Sequence, residues 1–155
     1  MYQIILAFVN LFFAGILAGM EFVIHYGLST CAETLDDRSQ LQLRQALVRR
    51  LRVLVPAFFV PTALTGIAVT VLDTTMPGFW FRCAGVLALL LWAVIRVIGT
   101  VPINSATLTW QLDTPPKDWK AQVNHSERFH IVGTWAAVAA FAFFLIAVAL
   151  PLAGS

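Results

Sequence analysis

A glutamate and a histidine stand four residues apart in the first apolar stretch of this chain. Glu21 and His25 lie on one face of a helix, because residues four apart are neighbours on a helix surface. A carboxylate and an imidazole can transfer protons or bind a metal. Ionisable groups are costly inside a membrane and often functional. The pair therefore predicts a site.

Two further polar groups fall at a similar depth. Arg96 lies in the third apolar stretch, and Asn104 follows shortly after it. We predict that Arg96 pairs with Glu21; the alternative is that its guanidinium extends alone to the membrane surface. Arginine and amide groups stabilise developing oxyanions. Together with Glu21 and His25, they are candidate catalytic residues.

The segment before the fourth apolar stretch contains two histidines and an arginine, His125, Arg128 and His130. At about 100° per residue, Arg128 shares a helical face with Ile131 and Trp135, and His125 lies beside it. His130 points to nearly the opposite side. The phase therefore favours His125 and Arg128 as site residues and predicts an interfacial position for His130.

Three cofactor alternatives follow from these residues. Glu21, His25 and His125 supply one carboxylate and two imidazoles, a ligand set typical of non-haem iron or copper. His25 with His125 or His130 would instead provide axial ligands to a haem b. The chain has no C-x-x-C-H motif for covalent attachment of haem. The third alternative is base-assisted chemistry with dioxygen and no cofactor.

Four apolar stretches must position these residues. They cover residues 2–26, 51–72, 79–101 and 131–152, and each reaches the roughly 20 residues needed to cross a bilayer as a helix. Of the 155 residues, 59% are hydrophobic and 12% are charged. The sequence therefore predicts one all-α domain over residues 1–155, a four-helix transmembrane bundle in contact with lipid.

The basic residues set the predicted orientation. The segments 28–50 and 103–128 contain most of the lysines and arginines, so both are predicted to be cytoplasmic loops. Both termini would then lie on the non-cytoplasmic side. Residues 38–52 are polar with interspersed leucines and predict a helical extension of the second span. The basic residues are too few to form a nucleic-acid-binding patch.

The first span has two distinct faces. Glu21 and His25 continue a stripe that we expect to face the bundle interior, formed with Asn10, Ala14 and Leu17. Gly15 and Gly19 form a G-x-x-x-G pair on nearly the opposite face. That face predicts close packing of another helix, either within the bundle or in a homo-oligomer.

Several short motifs resemble the anthrone-oxygenase-like integral membrane family. They are Val101-Pro-Ile-Asn104, Trp110, Pro115-Pro116-Lys-Asp-Trp119, Asn124-His125-Ser-Glu-Arg128 and Gly19-Met-Glu21-Phe22. Fungal members oxidise anthrones to anthraquinones. The resemblance implies a membrane oxygenase with an apolar, aromatic substrate that enters from lipid. Glu21 or His25 would remove a proton, and Arg96, Arg128 or Asn104 would stabilise the enolate. We expect a bacterial inner (plasma) membrane location.

Two rival interpretations remain. In the first, the protein is a non-enzymatic membrane subunit or a haem-binding redox partner, and the polar cluster is a buried ion network that fixes helix register. In the second, the chain is part of a small transporter or proton path. Four spans are few for a transporter, and the sequence has no internal inverted repeat.

Overall fold

The computed structural model describes residues 2–74 and 78–153, and the side chains of 152 and 153 are not considered. Four long helices account for most of this part of the chain, and it contains no β-strand. The helices are α1 (Tyr2–Ala32), α2 (Asp37–Leu72), α3 (Phe79–Thr107) and α4 (Trp119–Ala153). Each is long and apolar enough to cross a membrane. The predicted all-α transmembrane bundle is therefore confirmed.

The helices pack in a closed ring of neighbours. α1 contacts α2 and α4, and α3 contacts the same two helices. The Gln3 side chain donates a hydrogen bond to the Leu72 carbonyl, so the start of α1 lies beside the end of α2. The other two connections, residues 33–36 and 108–118, are at the opposite end. Tyr2 and Ala153 thus belong to one end of the bundle.

The helices extend beyond the predicted spans. α2 begins at Asp37, so the predicted helical extension over residues 38–52 is confirmed. α4 begins at Trp119, well before the apolar stretch that starts at 131. The predicted loops 28–50 and 103–128 are consequently mostly helical. Hydropathy marks where a helix meets lipid, whereas the helix itself continues as long as its backbone hydrogen bonds persist.

Local signals explain where α2 starts and how it continues. The Asp36 carboxylate accepts a hydrogen bond from the Ser39 N–H at 3.2 Å, which caps the helix. Hydrogen bonds from the Ser39 side chain and backbone lower the pKa of Asp36. Pro56 and Pro61 lie inside the helix. Residues 73–78, where the Pro77-Gly78 pair in the sequence favours a turn, fall partly on 75–77, which are outside the described residues.

Small residues let the helices approach closely. The core consists mainly of alanines with a few large side chains: Ala14, Leu17, Ala18, Leu89, Trp92, Ala136, Ala137, Ala140 and Phe144. A Cβ on Gly15 would lie 3.3 Å from the Phe141 ring, so this glycine packs within the bundle against α4. Gly19 is exposed, and a Cβ added to it would have nothing within 4 Å. Within the described part of the chain, therefore, only Gly15 of the G-x-x-x-G pair packs closely against another helix.

Two helices contain a wider, π-helical turn. It covers Val23–Ser29 in α1 and Arg96–Thr100 in α3. These segments contain His25 and Arg96, and both lie toward the end of the bundle that carries connections 33–36 and 108–118. Such π-helical insertions occur frequently at functional sites, because they change the direction of the side chains that follow. They position two of the predicted site residues.

Candidate functional site

Glu21 is the centre of a polar cluster inside the bundle. It is fully buried and forms an ion pair with the Arg96 guanidinium from α3. Its other oxygen, Oε2, lies 3.4 Å from His130 Nε2 of α4. The predicted pairing of Glu21 with Arg96 is therefore present. The predicted inward stripe is also present, with Asn10, Ala14, Leu17 and Glu21 buried and His25 half-buried.

The predicted phase of α4 is wrong. His130, expected at an interface, is only 5% exposed, whereas His125 and Arg128 are exposed. Ile131 and Trp135 also face outward, with 40% and 52% of their surface exposed. In lipid, large apolar side chains face outward, while small and polar ones pack between helices. The apolar stripe therefore marks the outside of this helix.

Two predicted site residues consequently lie outside the cluster. The His125 ring contacts Phe129, with ring centroids 5.1 Å apart, and no contact among the described residues joins it to Glu21 or His25. The predicted metal set of Glu21, His25 and His125 is not assembled. Arg128 lines a surface depression beside His25, so it does not reach the Arg96 side of the cluster.

Glu127 is a site residue that the sequence analysis missed. Its Oε2 atom lies 3.5 Å from His25 Nδ1 and 4.0 Å from His130 Nδ1. The Ser29 hydroxyl donates to the same oxygen at 3.3 Å. A signal was present, because Glu127 precedes His130 by three residues and shares its helical face. It was overlooked because the phase of α4 was assigned the wrong way.

Arg44 brings α2 into the cluster. Its guanidinium donates to Glu127 Oε1 at 3.2 Å and to Asn104 Oδ1 at 3.0 Å. Asn104 is therefore in the cluster, as predicted, and the residue it binds there is Arg44. In the sequence, Arg44 looks like one more basic residue of the predicted loop 28–50. Its position on the helix was a usable signal, because the nearby Leu41 and Gln45 are buried and place this side of the helix toward the bundle.

All four helices thus contribute charged groups to one site. Two carboxylates, Glu21 and Glu127, are matched by two guanidinium groups, Arg44 and Arg96. With neutral imidazoles on His25 and His130, the cluster carries no net charge. Buried charges are tolerated when they are paired and hydrogen-bonded, so this balance explains how the cluster persists in an apolar bundle.

Two cavities meet at the cluster. A polar cavity of about 130 Å³ is bounded by Arg44, Glu127 and His130 among others. An apolar groove of about 420 Å³ lies between α2 and α3. Arg96, Thr100 and Asn104, together with Val48 and Leu51, line both cavities. The groove therefore leads from the outer surface of the bundle to the charged groups.

Aromatic and exposed apolar side chains form the groove. The rings of Phe59 and Trp92 stack with their centroids 4.8 Å apart. The Arg96 guanidinium lies 5.5 Å from the Trp92 ring centroid. Val97 and Val101 also line the groove and are exposed at 65% and 49%. In a membrane, the groove therefore opens toward lipid.

Several buried polar atoms of the site have no hydrogen-bond partner among the described residues. They include His25 Nδ1, His130 Nδ1, Thr100 Oγ1 and Ser126 Oγ. Buried polar atoms usually have partners, because an unmade hydrogen bond is costly. Three of these residues, Thr100, Ser126 and His130, line the polar cavity, so a ligand in that cavity would meet polar atoms that the described residues leave without a partner.

The ligand atoms that the site offers distinguish between the predicted cofactors, a haem and a non-haem metal ion. Neither predicted axial pair of a haem is formed, because His125 is exposed outside the cluster, and the Nδ1 atoms of His25 and His130 both face Glu127 Oε2 instead of facing each other across a gap. His25, Glu127 and His130 instead offer ligand atoms that lie within 4.8 Å of one another. Two imidazoles and one carboxylate fit a non-haem metal. This set differs from the predicted one in two of three members.

Comparisons of the chain with protein-family models, with curated proteins and with solved structures found no match.

Proposed function

We propose that the protein is a membrane-embedded oxidoreductase of the oxygenase type. Its substrate would be apolar and aromatic, of the anthrone class that the motif resemblance implies, and its membrane would be a bacterial plasma membrane. One observation carries the proposal: an apolar, aromatic-lined groove that faces lipid shares Arg96, Thr100 and Asn104 with a buried acid–base cluster. A substrate can thus leave the bilayer and reach ionisable groups without crossing water.

The groove suggests how such a substrate would lie. Its fused rings would pack against the stacked Phe59 and Trp92 side chains. Its carbonyl oxygen would face the Arg96 guanidinium and the Thr100 hydroxyl, which has no partner among the described residues. Donors that are fixed in place before reaction stabilise a developing enolate strongly in a water-poor site. Asn104, which accepts a hydrogen bond from Arg44, would be the third polar group beside the carbonyl oxygen of the substrate.

His130 is the best-placed proton acceptor. Glu21 Oε2 lies 3.4 Å from His130 Nε2, so the carboxylate favours a proton on Nε2 and leaves a lone pair on Nδ1. A carboxylate in this position orients an imidazole and stabilises its protonated form. His130 lines the polar cavity and is not among the residues that line the groove, so the substrate would have to extend from the groove into the polar cavity to reach it. We therefore assign Glu21 a positioning role, and His130 replaces the predicted bases Glu21 and His25.

The reaction can be written as a balanced sequence. His130 takes the proton from the ring carbon para to the carbonyl, and the electron pair of that bond forms an aromatic enolate. The enolate carbon transfers electrons to dioxygen and bonds to it, and the protonated hydroperoxide loses water to give the quinone. One anthrone and one dioxygen give one anthraquinone and one water. The oxidant is dioxygen, and the protein's residues move only the proton.

The test is turnover of an anthrone by the purified protein under dioxygen. Oxygen consumption should equal quinone formation, and Glu21→Gln should lower turnover, because it removes the carboxylate that positions His130. Ala93→Trp should raise the KM for the anthrone at least tenfold, because the indole fills the groove. Val132→Trp on the exposed face of α4 is the matched control. Equal kinetics in the two tryptophan variants would exclude the groove as the substrate site.

One observation favours a structural role instead. Each of the four charged groups in the cluster already has an opposite charge beside it, as expected of an ion network that fixes helix register. In that case the protein would be a non-enzymatic membrane subunit. Wild-type protein would then show no turnover of anthrones, while Glu21 and Arg96 variants would lose stability. Turnover in the wild type separates the two proposals.

A further inference from the structure

We infer that His25, Glu127 and His130 form a binding site for a divalent first-row transition-metal ion. Each residue offers one ligand atom, and the three atoms lie within 4.8 Å of one another. The inference goes beyond the reaction proposed above and is tested without a substrate. A metal ion on His130 Nδ1 would occupy the lone pair that the proposed reaction uses, so the metal-bound form would not employ His130 as its base. It also replaces the ligand set that the sequence predicts.

The two imidazoles supply the main argument. His25 Nδ1 and His130 Nδ1 are both buried without a hydrogen-bond partner in the described part of the chain. Both face the same atom, Glu127 Oε2, at 3.5 and 4.0 Å. These separations exceed the usual hydrogen-bond length of about 2.7–3.2 Å. Two imidazole nitrogens and one carboxylate oxygen thus surround one point, and neither nitrogen is close enough to the oxygen for an ordinary hydrogen bond.

The spacing suits an ion. Metal–nitrogen and metal–oxygen bonds of about 2.0–2.2 Å place two ligand atoms roughly 3.0–3.5 Å apart in tetrahedral or octahedral geometry. The observed separation of His25 Nδ1 from Glu127 Oε2, 3.5 Å, already lies at that value. His130 Nδ1, at 4.0 Å from the same oxygen, would approach it by about half an ångström on binding, and the two imidazole ligand atoms, which lie within 4.8 Å of each other, would also close around the ion.

Residues around the three ligands favour the orientation and the protonation that metal binding requires. Glu21 approaches His130 Nε2, and a carboxylate on the distal nitrogen is the usual partner of a metal-binding histidine. Arg44 binds Glu127 Oε1 and leaves Oε2 directed at the imidazoles. Ser29 donates to Oε2 as well. The nearby Glu21 carboxylate favours a proton on His130 Nε2, and the bond from Arg44 to Oε1 leaves Glu127 Oε2 facing the imidazoles.

The charge and the cavity define what else the ion would bind. Arg44 and Arg96 already balance the two carboxylates, so a bound dication would leave the buried cluster positive. An anionic ligand such as hydroxide or an enolate oxygen would restore neutrality. Space for it exists, because Glu127 and His130 line the polar cavity of about 130 Å³. The ligand set of two histidines and one carboxylate leaves such positions open.

Cobalt(II) is a suitable probe because its visible absorption reports ligand geometry. Chelator-treated protein in detergent is titrated with Co²⁺, and we expect a d–d absorption band that saturates at one equivalent. His25→Ala and His130→Ala should weaken Co²⁺ binding at least tenfold. His125→Ala removes an exposed histidine outside the cluster and should bind like the wild type. Far-UV circular dichroism shows whether each variant is folded.

Two outcomes would overturn the inference. The first is a folded wild-type protein that gives no d–d band at any Co²⁺ concentration up to millimolar. The second is a folded His25→Ala variant with the affinity of the wild type, or an equal loss in His125→Ala. Neither outcome depends on anthrone turnover, so a failure of the metal site is distinguished from a failure of the proposed reaction by its own measurement.

Discussion

At the scale of single residues, placement decides what a side chain does. His125 and His130 lie on the same helix, yet one is exposed and the other touches a fully buried carboxylate. Glu21 and Arg96 are each surrounded by apolar helices, and each neutralises the other. Since isolated buried charges are very costly, neither residue is tolerable at its position without its partner. The pair therefore supports both the site and the fold.

Glu21→Gln tests this dependence. The substitution keeps the shape of the side chain but leaves the Arg96 guanidinium without an opposite charge. Breaking a buried ion pair in this way costs about 3–5 kcal/mol, which we expect to measure as a lower free energy of unfolding in detergent micelles.

The control is an ion pair at the surface. Arg38 and Asp113 are 3.0 Å apart, with side chains 63% and 72% exposed, so Asp113→Asn should cost only about 0–1 kcal/mol. If the Glu21 and Asp113 variants lost the same stability, Glu21 and Arg96 would not form a desolvated pair in the membrane protein.

At the scale of helices, close packing sets the geometry of the site. Gly99 lies in the π-helical segment of α3, where a Cβ would overlap the Phe129 ring of α4. The two helices therefore touch just beside Glu127 and His130. Any added volume at Gly99 must push α4 away from α3, and the site residues of α4 would move with it.

Gly99→Ala measures this contact. We expect overpacking to lower the free energy of unfolding by about 1–3 kcal/mol, and displaced site residues to reduce turnover as well. Gly19→Ala provides the matched control, because nothing lies within 4 Å of its Cβ position. A stability change in Gly19→Ala as large as in Gly99→Ala would indicate that the exposed Gly19 face is also covered, for example by a second copy of the chain.

Sequence reasoning predicted the helices better than their ends and faces. Long apolar stretches identify spans directly, but α4 starts far outside its stretch because polar residues such as Asn124 continue the same helix. The inward stripe of α1 was predicted because Glu21 and His25 are costly in lipid. The face of α4 was not, since its apolar side meets lipid instead of the core. Arg44 was missed because its positive charge also fits a cytoplasmic loop.

At the scale of the whole molecule, the two ends of the bundle differ. The charged cluster, the polar cavity and the exposed Arg49 and Arg50 belong to the end with connections 33–36 and 108–118. The other end holds a separate ion pair, Arg82 with Asp73 at 3.0 Å. We expect the basic end to face the cytoplasm, which would put the groove in the cytoplasmic half of the bilayer.

Single-cysteine labelling tests this orientation. Cys31 and Cys83 are first replaced by serine and alanine. Thr74→Cys, at the end opposite the cluster, should react with a membrane-impermeant maleimide added to intact cells. Thr109→Cys, in the connection between α3 and α4, should react only after the cells are opened. The reverse pattern would place both termini in the cytoplasm and contradict the predicted topology.

The most direct test of the account compares two histidines of α4. Purified His130→Gln and His125→Gln are assayed with an anthrone under dioxygen, next to an active wild type. If the buried cluster carries out the reaction, His130→Gln should lose at least a hundredfold in kcat, since general-base catalysis contributes about 10²–10⁴-fold, and His125→Gln should retain wild-type kcat. Equal rates in the two variants would show that the chemistry takes place elsewhere.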